Sequence, residues 1–97
     1  MNGGRLQKQV DFSYIYVKVK KESDTYFIAC DKYDPISGVK ARLISMIKTA
    51  GNLPKDVDEE EFGPEHILLY IRDRVLEDDA TCYDQQVVNN CELTMDY

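Results

Sequence analysis

The stretch RVLEDDATCYDQQV, residues 74–87, decides how this chain must be wound. Its apolar residues are too far apart for one strand and too irregular for one amphipathic helix. Glu77, Asp78, Asp79 and Asp84 make it acidic. It reads as a brief edge strand, "RVL", followed by a long connection with at most one turn of helix. Its exit is "CELTMDY", 91–97, where Leu93, Met95 and Tyr97 alternate with Glu92, Thr94 and Asp96. That period of two is a strand half-covered by a core. Its entrance is "ILLYI", 67–71, a short apolar strand that "RD" turns into the edge strand.

Further upstream, "SYIYVKVK", 13–20, sets Ile15, Val17 and Val19 against Tyr14, Tyr16 and Lys18. "TYFIAC", 25–30, sets Tyr26, Ile28 and Cys30 against Phe27 and Ala29. The short polar link "KESD" makes these two strands a hairpin. "DPISGVKARLISMIKTAG", 34–51, then repeats Ile36, Val39, Leu43 and Ile47 at three- and four-residue steps, a helix with one apolar face. Asp34 is the expected N-cap and Pro35 the first helical residue, because proline lacks the N–H that would be unpaired there. Gly51 is the expected terminator. "KDVDEEEFGPEH" holds Asp56, Asp58, Glu59, Glu60 and Glu61 with one lysine, and such charge density disfavours compact structure. It is expected to be a solvated insertion at about 55–65, with 55–63 dispensable for folding. Residues 1–11, polar and without a period, are expected to be a disordered lead. The domain is expected over 12–97.

The order is β-β-α-β-β-β, an α+β roll with one helix packed on a mixed sheet. With 97 residues there is room for one domain and one thin core. A net charge of −6 provides no basic stripe to displace counterions from phosphates, and it opposes an anionic membrane surface. Hence neither nucleic acid nor membrane is an expected partner. No apolar run approaches the ~20 residues of a spanning helix. The first residues lack the apolar segment of a secretory signal. Three cysteines, an odd count, then read as reduced thiols in the cytoplasm or nucleus.

Element order and residues together resemble ubiquitin and its β-grasp relatives over Phe12 to Tyr97. "YIYVKV" resembles the first strand of that family. "VKAR", 39–42, differs from the family's helix start by one Lys-to-Arg change. Leu76-Glu77-Asp78 and Thr81 match the leg between the fourth and fifth strands. The resemblance implies a ubiquitin-like β-grasp, in which Cys82 fills a small core site where ubiquitin has leucine. The elongin B branch is similar too, in Leu69-Tyr70, Asp73, Leu76, Asp78 and Thr81. That branch implies a non-catalytic adaptor subunit of a ubiquitin-ligase complex, with an elongin-C-like subunit as partner. The chain departs from it in the length of the acidic stretch and in ending within its last strand, short of the elongin B tail. Two other readings stay open. One is a ubiquitin-like modifier, which would need a Gly-Gly end. The other is a ubiquitin-like targeting domain of a larger protein.

No catalytic, cofactor-binding or metal-ligating residues are expected, and no small-molecule substrate. His66 is the single histidine and no serine motif accompanies it. A thiolate nucleophile needs an electropositive setting that an acidic chain rarely offers. Cys30, Cys82, Cys91 and His66 lack the paired spacing of a zinc knuckle. No glycine-rich phosphate loop is present. The candidate site is instead a surface. If Ile15, Val17, Ile28, Leu69, Leu93 and Met95 meet the helix, then Tyr14, Tyr16, Phe27, Leu68 and Tyr70 face outward. In β-grasp order these five lie on one side of three strands, and an apolar patch of that kind marks an interface. The resemblance implies that ubiquitin's recognition patch falls here on Lys20 or Lys21, Tyr70, Thr94 and Asp96. Only Tyr70 keeps an apolar character, so the contact centre is expected to shift toward Tyr16 and Phe27.

Overall fold

The computed structural model describes residues 13–97; the expected lead, 1–11, lies outside the described residues. Strands β1 (Tyr14–Lys21) and β2 (Asp24–Asp31) are followed by helix α1 (Ile36–Ala50), a 3₁₀ turn (Pro64–His66), β3 (Leu68–Ile71), β4 (Arg74–Val75) and β5 (Cys91–Asp96). The sheet order is β2-β1-β5-β3-β4. Only β1 and β5 run parallel; the other neighbours are antiparallel. A parallel pair cannot be joined by a tight turn. The chain therefore leaves the first hairpin, crosses one face as α1, and returns through β3 and β4 before β5 slots beside β1.

Alternation along the strands and the apolar stripe of the helix meet in one core. Val17, Val19, Ile28, Leu69, Leu93 and Met95 from the sheet are buried with Ile36, Val39, Leu43 and Ile47 from α1. The hairpin turns at Glu22, whose φ of 55° is the left-handed conformation that matches a two-residue turn to the twist of its strands. Gly51 ends the helix as its sequence implies, with φ 74°, its own N–H reaching Lys48 O at 3.2 Å and the Asn52 N–H reaching Ile47 O at 3.0 Å.

The start of the helix differs from expectation. Pro35 occupies the N-cap position and Asp34 does not cap. The Asp34 carboxylate instead accepts the Asp31 N–H at 3.1 Å and pairs with Arg42 at 3.3 Å. The open N–H groups of the first turn find partners far away in sequence. Ile36 N–H donates to Ala80 O and Ser37 N–H to Asp78 O, each at 3.1 Å. The leg from 76 to 90 thus supplies the cap that no local side chain provides.

That leg is a built element. Cys82 N–H donates to Asp34 O at 3.0 Å and Tyr83 N–H to Lys32 O at 2.8 Å. Leu76, Cys82 and Val87 are buried, Cys82 fully, as the resemblance implied. Gln85, also buried, pins the leg to itself: its side chain accepts the Glu77 N–H at 2.6 Å and donates to Glu77 O at 2.9 Å. Lys40, buried on α1, reaches Asp78 at 2.6 Å, so its charge is compensated where the leg crosses the helix.

The acidic stretch requires a correction. It is not solvated throughout, although its charge led one to expect that. Phe62 is only 2% exposed and belongs to the core, and Val57 packs against it. Phe62 stacks on His66 (5.4 Å between ring centres) and meets Tyr97 edge-on at 5.2 Å. Charge density made the stretch look solvated, but one buried aromatic ring outweighs it, because its apolar area removed from water is large.

Candidate functional site

The outer face of the sheet is set by strand alternation and register. One row runs Val75, Tyr70, Thr94, Lys20, Thr25 across all five strands. The next brings Glu92, Lys18 and Phe27 together, and beyond it Tyr16 lies opposite Ala29. Phe27 is 70% exposed, Tyr16 64% and Tyr14 56%. Leu68 is exposed on β3 and Tyr70 is half-buried.

These five residues do not form one continuous patch. The strand between them, β5, turns Glu92, Thr94 and Asp96 outward. It divides the face into an aromatic corner on β1 and β2 and a smaller apolar strip of Leu68, Tyr70 and Val75 on β3 and β4. The corner is also shaped by the chain before β5. Asn90 N–H donates to Tyr16 O at 2.6 Å, and Asn89 Oδ1 accepts the Tyr16 N–H at 2.8 Å. Tyr16, Lys18, Phe27 and Asn90 border a dent of about 260 Å³, wide enough to seat a partner's side chain. Val75 and Asn90 were not singled out from the sequence. Val75 was legible in principle, since a two-residue turn after Ile71 sets it opposite Tyr70. Asn90 was not, because only the fold brings it to Tyr16.

The row Lys20, Thr94, Tyr70 is where the resemblance places ubiquitin's recognition patch. Of the expected positions Lys20 or Lys21, Tyr70, Thr94 and Asp96, register sets Lys20 opposite Thr94, Thr94 opposite Tyr70, and Asp96 opposite Leu68. A lysine, a threonine and a half-buried tyrosine give that row a mixed, polar character.

The remaining chemistry-bearing residues are tied into structure. His66 Nδ1 accepts the Gly63 N–H at 3.2 Å while its ring lies on Phe62, so the imidazole holds the turn before β3. Cys30 and Cys82 touch inside the core. The hydrogen bond to Cys30, and then burial, push the Cys82 thiol well above its ordinary range. Burial also pushes the Cys91 thiol up. Neither is poised as a thiolate at neutral pH. Among the described residues no three of His, Cys, Asp and Glu are grouped as metal ligands, and no helix is long and apolar enough to cross a membrane.

No protein-family model matches the chain, and neither does any curated protein. Solved structures do. The ubiquitin of Caldiarchaeum subterraneum superposes with a TM-score of 0.65 at 15% identity, over 84% of this chain and 90% of that one. The NMR structure of an Arabidopsis thaliana protein gives 0.64 at 18% identity, over 90% and 89%. A designed protein based on ubiquitin gives 0.64 at 15% identity, over 87% and 88%. Identity this low speaks for the fold alone, and that fold is the ubiquitin-like β-grasp.

Proposed function

We propose that this ubiquitin-like domain is a non-catalytic interaction module, an adaptor subunit of the elongin B kind in a ubiquitin-ligase complex of the cytoplasm or nucleus. One observation carries the reading. Phe27 and Tyr16 stand more than half exposed at a dent on the outer sheet face, with Tyr14, also more than half exposed, further along the same strand. Aromatic rings left in water at the rim of a pocket are what a partner's side chains bury to gain affinity.

The residues similar to elongin B support the architecture more than the partner. Leu69 and Leu76 are core, Asp78 holds Lys40, and Thr81 bridges Pro35. The partner class, an elongin-C-like subunit, therefore rests on the resemblance, and the docking surface on the aromatic corner. Lys18 and Glu92 flank that corner as a charged rim, which steers encounter and register more than it adds affinity.

Affinity capture from a cell extract tests this, with wild type, a Tyr16→Ala/Phe27→Ala variant and a Glu59→Gln/Glu60→Gln variant. All three are first shown to melt alike. The aromatic pair is expected to lose the elongin-C-like subunit, since a central aromatic is worth about 2 kcal/mol, roughly thirty-fold in affinity. The loop variant should keep it. Equal recovery by the aromatic variant would remove the sheet face from consideration.

A further inference from the structure

The hairpin of β3 and β4 turns on Arg72 and Asp73, with Ile71 paired to Arg74 across it. Tyr70 and Val75 take the outer face of this pair of strands, so alternation sends Ile71 and Arg74 to the opposite side. Between the turn and the leg that returns to β5 lies a dent of about 550 Å³, bordered by Arg72, Asp73, Arg74, Gln86 and Val88. It is separate from the aromatic corner on β1 and β2.

Two arginines meet at this dent, and neither is neutralised. The chain holds 18 acidic residues to 12 basic ones. Among the described residues Lys21, Lys40 and Arg42 each find a carboxylate, at 3.9, 2.6 and 3.3 Å, while Arg72 and Arg74 find none. Arg74 is fixed from behind. Its Nη2 donates to Gln85 O at 2.6 Å, and Gln85 is itself buried and bonded within the leg. A guanidinium carries five N–H donors in a rigid fork, so most of its donors remain for a ligand. Arg72 stands where the backbone favours glycine, at φ 56°, and Gln86 across the dent has φ 64°. Left-handed backbone costs any residue with a Cβ, so the chain keeps an arginine where glycine would relieve strain. Strain kept in this way is a pointer to a side chain in use.

We propose that Arg72 and Arg74 bind the phosphate of a phosphorylated serine or threonine in a segment of another protein, with an apolar neighbour of that residue resting on Val88. Val88 is 59% exposed. Two guanidinium forks match a doubly charged group with three terminal oxygens, whereas a carboxylate offers one charge and two oxygens. The net charge of −6 works against long polyanions, which meet the field of the whole chain. A single phosphate needs only the two arginines beside it. Asp73 also lines the dent and opposes any anion, which keeps the contact weak and reversible. This site goes beyond the aromatic-corner reading and does not rest on it, because it uses neither Tyr16 nor Phe27.

The test is a titration of the ¹⁵N-labelled full chain with an acetylated heptapeptide that carries phosphoserine between two valines and glycine elsewhere. The amides of Arg72, Asp73, Arg74 and Gln86 are expected to shift, together with the Nε–H signals of both arginines. The serine and glutamate versions should each bind at least about tenfold more weakly, and so should inorganic phosphate, which has nothing to rest on Val88. Arg72→Gly should weaken the phosphopeptide at least about tenfold while the melting temperature holds or rises. Asp73→Asn should tighten it about threefold. Equal binding of the serine peptide, inorganic phosphate binding as tightly as the phosphopeptide, or shifts confined to Tyr16 and Phe27 would overturn the proposal. A thymidine oligonucleotide that competes at equal phosphate concentration would assign the arginines to nucleic acid instead. A lower melting temperature in Arg72→Gly would assign that arginine to the fold, and unchanged affinity in either variant would remove the site.

Discussion

The two long connections, 52–67 and 76–90, are alike in composition and unlike in what holds them. Both are acidic and neither has a regular period. The second is bonded by its backbone to the helix start through Asp78, Ala80, Cys82 and Tyr83, and clamped by Gln85. The first makes local turn bonds in its middle, such as those of Glu61 and Phe62 N–H to Asp58 O, and is tied to the rest of the fold by side chains: Asn52, which donates to the Tyr26 hydroxyl and whose carbonyl accepts the Tyr97 O–H, and the buried Phe62 ring. A connection can therefore be anchored mainly through main chain, which shares the load over many groups, or mainly through a few side chains, of which the Phe62 ring is the largest buried one within the acidic run.

The largest expected effect lies at that single ring. Phe62→Ala should lower the unfolding free energy by about 3–5 kcal/mol, because it empties a filled core site. Chemical denaturation measures this. A loss under about 1 kcal/mol would mean that the acidic connection is not held by Phe62 and the contrast collapses.

A smaller effect is expected where the load is shared. Gln85→Ala leaves the Glu77 N–H and C=O without their side-chain partners and should cost about 1–3 kcal/mol. Faster hydrogen exchange at Ile36 and Ser37 should accompany it, since their acceptors sit on the loosened leg. Exchange unchanged at those two amides would show that the leg and the helix start are not coupled.

Alkali should probe the first connection from its other side. Burial, and then the neighbouring Tyr26, push the Tyr97 phenol from 10 up to about 12. The folded state thus favours the neutral phenol. Its contribution is intact below pH 10 and is lost as pH rises from 10 to about 12. Tyr97→Phe should flatten the fall in stability over that window. An equally steep fall in thermal melts of the variant would assign the alkaline loss to other groups.

The smallest effect belongs to the carboxylates themselves. Glu59→Gln/Glu60→Gln should change stability by no more than about 0.5 kcal/mol, because both side chains are exposed and bury nothing. Its melting temperature should depend less on salt than that of the wild type. A shift beyond about 1 kcal/mol would mean that the loop is held by charge as well as by Phe62.

Strand and helix positions were legible because their evidence is local and periodic. Ile15, Val17 and Val19 alternate; Ile36, Val39, Leu43 and Ile47 repeat on one helix face; Gly51 ends the helix with the backbone only glycine adopts easily. The candidate site was legible in part for the same reason. Alternation along β1 and β2 exposes Tyr16 and Phe27 whatever the neighbouring strand may be. The division of the face was not, since Glu92 and Thr94 separate its halves only once β5 lies between β1 and β3.

Sequence by itself determined the element order, the helix face and the identity of the exposed aromatics, because period and turn chemistry act within a few residues. Tertiary structure decided the rest. Asp34 was an adequate local cap, yet carbonyls from 78 and 80 arrived with the whole leg behind them and took the helix N–H groups. Phe62 sat among carboxylates, yet the core beneath it had a ring-sized place beside Tyr97. In both cases the winning interaction joins residues dozens of positions apart. Its strength comes from burial that exists only after the chain has closed, and no local pattern records it.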